Sequence, residues 1–373
     1  MNFALTPEQE MLRDAARAYL ADKVPMAKVR QIMETSEGFD RDVWSETAQM
    51  GWHGMAIPEA YGGAGYSFVE LGIVLEELGR ALTPVPFLST VVLAAGVVEI
   101  AGDREQRAAY LPSFAAGESI GTVALVESDG RWLPDPPEVS AVPAGEGFVL
   151  SGTKHHVLDG HVADVIVVLA TSPDGPDLFL VPGDAPGLSR AKVVTMDQTR
   201  CQASVTLDDV EVPAAARLGA PGSALETLDR LLDRAAVAVA FEQVGGAQRC
   251  LEMSVQYAKE RYQFGRPIGS FQAIKHMCAD MLVEVEAARS AAYYAGWAVT
   301  GDEDELRIVA PVAKSYCSDA YFQVAGDTIQ VHGGIGFTWE HDAHLYFKRA
   351  KTDELLFGGP AEWRAKLADR LGL

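Results

Sequence analysis

Basic residues are in short supply: 31 lysines and arginines face 52 aspartates and glutamates over 373 residues, a formal charge of −21. Such a surface repels nucleic-acid phosphates and anionic lipid head groups, so neither nucleic acid nor membrane is an expected partner. Cysteine is almost as scarce. Cys201, Cys250, Cys278 and Cys317 are widely spaced with no Cys-x-x-Cys pair, which argues against a disulfide framework and for a reducing, cytoplasmic setting. No 18 consecutive apolar residues run without a charge, so no membrane span is expected. The opening stretch, MNFALTPEQEMLRDAARAYL, lacks the basic-then-apolar order of a secretion signal. Also missing are a Gly-x-Gly-x-x-Gly turn after a strand and a Gly-x-Ser-x-Gly elbow, which argues against a Rossmann oxidoreductase and a serine hydrolase. The groups His155, His156, Asp159, His161 and His341, Asp342, His344 have no converging ligand spacing, so no metal site is expected.

What is present is ordinary globular composition, 48% hydrophobic and 22% charged, on a chain long enough for two or three domain-sized units. Thr6, Pro7 and Gln9 read as a helix cap, followed by Leu12, Ala15, Ala16 and Tyr19 at helical spacing. Residues 1–119 keep that three-and-four periodicity, as in VELGIVLEELGRAL, and predict an N-terminal α-helical domain. Residues 120–220 break into the short runs TVALVE, GFVLSG, ADVIVVLA, DLFLVP and ASVTLDDVEVP between Gly, Pro, Asp and Ser turns. They predict a middle β-domain, a barrel or sandwich. From 221 to 373 long helical patterns return, at 224–261, 270–300, 303–331 and 360–373, and predict a C-terminal four-helix bundle. The fold class expected is therefore multi-domain α+β in the order helix, sheet, helix.

Three segments narrow the function: MGWHGMAIPEAYGGAGYSFVELGIVLEELGRAL (50–82), RYQFGRPIGSFQAIKHMCADM (261–281) and QVHGGIGFTWEHDAHLYFKRAK (330–351). Arg261 is a planar, permanent cation suited to a pyrophosphate, with Gln263 and Phe264 close behind at the Gly265 break. Gly333 and Gly334 permit close backbone approach, and Gln330 lies one turn earlier. Together these segments resemble the acyl-CoA dehydrogenase family of flavoproteins over essentially the whole chain. More narrowly, the sequence looks like the actinobacterial branch, whose members often act on steroid side-chain or other unusual CoA thioesters and sometimes work as two-subunit heteromers. The resemblance implies FAD as cofactor, an acyl-CoA substrate, and electrons leaving to an electron-transfer flavoprotein. It also implies a homodimer, homotetramer or heterotetramer with a paralogous subunit, in which Arg261, Gln263, Phe264, Gln330, Gly333 and Gly334 reach FAD bound mainly by a neighbour.

The resemblance also exposes departures. LVESDGRW (125–132) and HVLD (156–159) stand where the family has Thr-Glu-Pro with Gly-Ser-Asp and Trp-Ile-Thr, so Val126 replaces the threonine and His156 the flavin-stacking tryptophan. The family's base is a glutamate at one of two positions; counting without gaps puts Phe357 at the first, and counting back from Arg261 puts Ala235 and Ala236 in place of the acid and arginine usual at the second. Glu242, two helical turns beyond Ala235 on roughly the same face, is the candidate base; the competing role is a buried acid satisfied by a bundle partner such as Lys275, or an acid exposed at a subunit interface. Asp233, Glu354 and Glu362 are weaker candidates. The leading expectation is α,β-dehydrogenation of a CoA thioester. A subunit that lends flavin contacts but no base is the alternative, and a flavin monooxygenase or nitroalkane-oxidase-like use of the fold is a third.

Overall fold

Each stretch of helical or alternating pattern folds as its residues dictate, in the computed structural model that describes residues 5–301 and 303–373. The first helix, α1 (Pro7–Lys23), opens on the capping box expected: Gln9 N–H donates to Thr6 Oγ1 at 3.3 Å and Thr6 N–H donates to Gln9 Oε1 at 3.0 Å. It is followed by α2 (Met26–Met33), α3 (Arg41–Gln49) and α4 (Phe68–Arg80). A π-helical stretch, Leu88–Ala94, then runs into α5 (Ala95–Ala101), and α6 is Arg104–Ala115.

The middle region forms one mixed sheet of β1 (Gly121–Ala124), β2 (Ser140–Ala144), β3 (Gly147–Leu158), β4 (Val165–Ser172), β5 (Gly175–Pro182), β6 (Leu188–Val193), β7 (Gln202–Pro213) and β8 (Arg217–Leu218). The order is β6-β7-β3-β2-β4-β5-β8, with β1 joining parallel to β4. Strands β4 and β5 are the continuous apolar runs read from the sequence and are almost wholly buried. The expected strand pattern does not include β2 and β6. Strand β2 carries Pro143 and exposes most of its residues, and β6, LSRAKV, is a polar edge strand with no apolar alternation to signal it.

The remaining helices are α7 (Ala224–Glu260), α8 (Gln272–Gly301), α9 (Glu303–His332), α10 (Ala343–Leu355) and α11 (Pro360–Leu371). A two-stranded ribbon of β9 (Tyr262–Gln263) and β10 (Arg266–Pro267) separates α7 from α8. The short helix α10 was not among the expected helices because its apolar residues are interleaved with buried charge, Arg349 and Asp353.

The chain divides into two compact units that cut across sequence order: residues 1–31, 67–83 and 236–373 in one, and 32–66 and 84–235 in the other. In the first unit α4 and α7 cross backbone to backbone. A Cβ on Gly79 would sit 2.2 Å from the Glu242 carbonyl oxygen, and one on Gly245 1.8 Å from that of Glu76. That crossing explains the glycines in the otherwise helix-favouring runs LEELGR and EQVGG. In the second unit His53 is fully buried between Trp44 and Phe87, its Nε2 2.9 Å from Thr47 Oγ1, and burial pulls its pKa down to about 3.

Candidate functional site

In the helical unit, the ends of α7 and α9 lie side by side. Ser254 Oγ donates to Thr328 Oγ1 at 3.1 Å, and the Tyr257 ring stacks on His332 at 4.4 Å. Tyr257 precedes Arg261 by one turn, and His332 directly precedes Gly333. The packing thus brings the second and third sequence segments to one edge of the unit. There Arg261, Gln263, Phe264, Gln330, Gly333 and Gly334 are all exposed, Phe264 to 92%. Phe264 holds φ +53° and Gly265 φ +78° in the turn joining β9 to β10. Such a bend suits glycine, and it holds the Phe264 ring out where burial alone would not keep it. Among the described residues nothing pairs with the Arg261 guanidinium. The space where side chains would stand at Gly333, with φ +63°, and at Gly334 is open. A free, planar cation beside bare backbone is a donor set that fits a dinucleotide pyrophosphate.

Glu242 lies elsewhere on α7. It is 6% exposed, and the α4 crossing presses on its backbone. Lys275, the ion-pair partner suggested by sequence, instead stands exposed on α8 and engages no carboxylate among the described residues. Ala235 and Ala236, on the same helix, are fully buried. Asp233 is buried as well. At the other candidate base position, Phe357 is buried with φ +62°, and its carbonyl accepts from Trp363 Nε1 at 3.1 Å. This loop is anchored by Lys314, which sequence reading did not single out. Its fully buried ammonium donates to the carbonyls of Asp353 at 2.8 Å, Glu354 at 3.1 Å and Gly358 at 3.4 Å. It also donates to Ser318 Oγ at 3.0 Å, an atom that accepts from Gln243 Nε2 on α7 at 2.9 Å. Burial draws Lys314 down to about 8. Of the weaker acids, Glu362 accepts from Gly359 N–H in the α11 cap, and one oxygen of Glu354 accepts from Lys351 at 2.9 Å.

The acidic α4 supplies a polar cluster that sequence analysis also missed. Glu76 pairs with Arg289 and accepts from Tyr293 Oη at 2.9 Å, and Glu77 is gripped by Arg17 at 2.6 and 3.0 Å. Arg17, Glu76, Arg289 and Tyr293 border a cavity of about 370 Å³ that Gln248 and Glu252 also line. Burial and the neighbouring Glu76 carboxylate both raise the Tyr293 pKa. Glu76 and Glu77 are both held by cations.

The sheet unit holds the segments LVESDGRW and HVLD. Glu127 and Lys154 form a wholly buried pair, Nζ to Oε1 2.6 Å. Strand β3 bulges against β7 between Lys154 and Val157, where two residues of β3 stand opposite one of β7. In that bulge His156 takes φ +53°, is exposed, and has Nδ1 2.8 Å from Gln202 Oε1. Among the described residues no helix is long and apolar enough to cross a membrane.

Comparisons with known proteins agree with this layout. Residues 6–118 match the model of the acyl-CoA dehydrogenase N-terminal domain, and residues 225–371 that of the acyl-CoA dehydrogenase C-terminal domain. The chain is 36% identical over 361 residues to the acyl-CoA dehydrogenase IpdE2 of Mycobacterium tuberculosis, covering 96% of each chain. Among solved structures it superposes with a TM-score of 0.90 on a chain of the ChsE4-ChsE5 complex from Mycobacterium tuberculosis, at 31% identity over 100% of this chain and 99% of that one. A chain from a structure described as the electron transferring flavoprotein of Acidaminococcus fermentans gives a TM-score of 0.94 at 30% identity, over 100% and 99%.

Proposed function

Because the chain belongs to the acyl-CoA dehydrogenase family, an oxidoreductase family whose members bind FAD, we propose that it takes part in FAD-dependent α,β-dehydrogenation of a CoA thioester, with electrons passing to an electron-transfer flavoprotein. The observation that carries this reading is the outward edge at the ends of α7 and α9, where Arg261 has no pairing partner among the described residues and lies close to open glycine backbone. Arg261 would grip the pyrophosphate with its planar fork, while the Gly333 and Gly334 amides approach it without side-chain obstruction. Gln263, Phe264 and Gln330 would complete the contact. FAD, when bound, supplies the acceptor for the β hydride. Glu242 is the candidate acceptor for the α proton, at its carboxylate oxygen.

Glu242 and the end of α7 are separated by roughly 27 Å at 1.5 Å per residue. That exceeds the reach from the ring to the pyrophosphate of a single FAD, so with Glu242 as the base the middle of α7 and its C-terminal end serve different flavins. The chain therefore works in an oligomer. Its relative in the ChsE4-ChsE5 complex, which pairs two differently named chains, supports a heteromer as one form.

A second reading is favoured by one observation: Ala235 and Phe357, both buried, occupy the two positions where the family needs an acid. In that reading the chain is the half-site subunit of a heteromer and its partner supplies the base. One experiment separates the two. Purified chain, alone and co-expressed with a paralogue, is mixed anaerobically with a panel of straight-chain, branched and steroid acyl-CoAs. Bleaching of bound flavin by the isolated chain supports the first reading, and bleaching only on co-expression supports the second. Protein that stays colourless in both preparations with added FAD contradicts both.

A further inference from the structure

In the sheet unit, two buried charges join a loop to a strained strand. The Glu127 carboxylate accepts the Glu138 N–H at 2.5 Å on one oxygen and the Val139 N–H at 2.8 Å on the other. It thereby closes the exposed loop of residues 128–137 at its base. Lys154, from β3, donates to Glu127 Oε1 and also to the Leu125 carbonyl at 3.1 Å. One residue on, His155 N–H donates to the Val126 carbonyl at 2.8 Å. The loop and the bulge that carries His156 are thus bound to each other on both sides of one ion pair.

Folding alone gives no reason for this arrangement. A buried charge pair contributes less than apolar packing of the same volume unless its remaining hydrogen bonds are satisfied. Here they are in part, by the N–H groups of Glu138 and Val139 at the end of the loop and by the Leu125 carbonyl at its start, and burial still pulls Lys154 down to about 8 despite the adjacent carboxylate. The bulge meanwhile holds His156 exposed at positive φ with Gln202 fixing its ring, and bulges of this kind aim a side chain at a ligand.

We propose that Glu127 and Lys154 are positioning residues: a buried latch that fixes the 128–137 loop against the His156 bulge so that this edge of the sheet unit receives FAD. The proposal rests on the flavin reading above, and its test has an arm that needs no flavin. Arg131, exposed in the loop, is a trypsin site whose cleavage reports whether the latch is closed. Added FAD, followed by quenching of flavin fluorescence, reports on the edge. Glu127→Gln is expected to speed cleavage after Arg131 at least tenfold and to weaken FAD binding at least tenfold. Should the single variant fail to fold, Glu127→Gln with Lys154→Met removes both charges at nearly constant volume, and the same two arms are read. Cleavage as slow as in the wild type overturns the latch, and faster cleavage with unchanged FAD affinity overturns its role toward the flavin. Wild-type protein that takes up no FAD, alone or co-expressed with a paralogue, overturns the flavin reading itself, and cleavage then decides the latch alone.

Discussion

Around Arg261 in the helical unit, the candidate side chains are exposed and the nearby glycine backbone is bare. Around Glu127 in the sheet unit, the charges are buried and paired, and the backbone is drawn into a strained bulge. The difference separates two ways of preparing a surface for a ligand. An open edge keeps its groups hydrated until something covers them, so substitutions there change binding and little else. A latched edge is ordered before binding, and substitutions there disturb the fold along with the site.

The largest expected effect lies on the latched side. Glu127→Ala leaves the buried Lys154 charge and two backbone N–H groups without their acceptor, and is expected to lower unfolding stability by about 3–5 kcal/mol in denaturant titration. A loss under 1 kcal/mol would erase the distinction between the edges. The next lies in the same unit, at His53. Its folded pKa of about 3 is below the ordinary 6.5, so the stability it contributes is complete above pH 6.5 and is lost as pH falls toward 3. Between pH 7 and pH 4 that loss is roughly 3 kcal/mol. Unfolding curves at the two pH values should differ by that much less in His53→Gln, and an equal difference would show that His53 is not buried uncharged.

Smaller effects are expected at the open edge. Arg261→Ala should weaken FAD binding by about tenfold while leaving the thermal midpoint unchanged; a lowered midpoint would mean Arg261 serves the fold. Gly333→Ala meets open space but must hold φ +63°, a strain of about 1 kcal/mol. Its FAD affinity tests whether the bare backbone matters, and an unchanged affinity would confine the flavin contact to side chains.

Much of this contrast was legible in the sequence, though unevenly. The helix, sheet, helix order, the α1 cap and the long helices of residues 224–371 follow from periodicity and capping residues, which act locally. The edge at Arg261 was legible as residue types, yet it takes the Ser254–Thr328 hydrogen bond and the Tyr257–His332 stacking to show that the two motifs adjoin. Glu127–Lys154 was not legible, because a lysine in a strand reads as a solvent-facing charge until its partner, 27 residues away, is seen inside the sheet. The same holds for Lys314, whose partners are carbonyls and a hydroxyl, groups that no side-chain pattern announces. The pairing of Glu242 with Lys275 failed for the converse reason: helical spacing puts a charge on a face, but which neighbouring helix meets that face depends on packing.

On the proposed function, the open edge of this chain is half of a flavin site completed by another chain. Light scattering with in-line flavin absorbance on purified protein tests it most directly. Flavin should elute only with particles of at least two chains, and Arg261→Glu should strip the flavin from them. A particle with the mass of one 40.0 kDa chain carrying one FAD would contradict it.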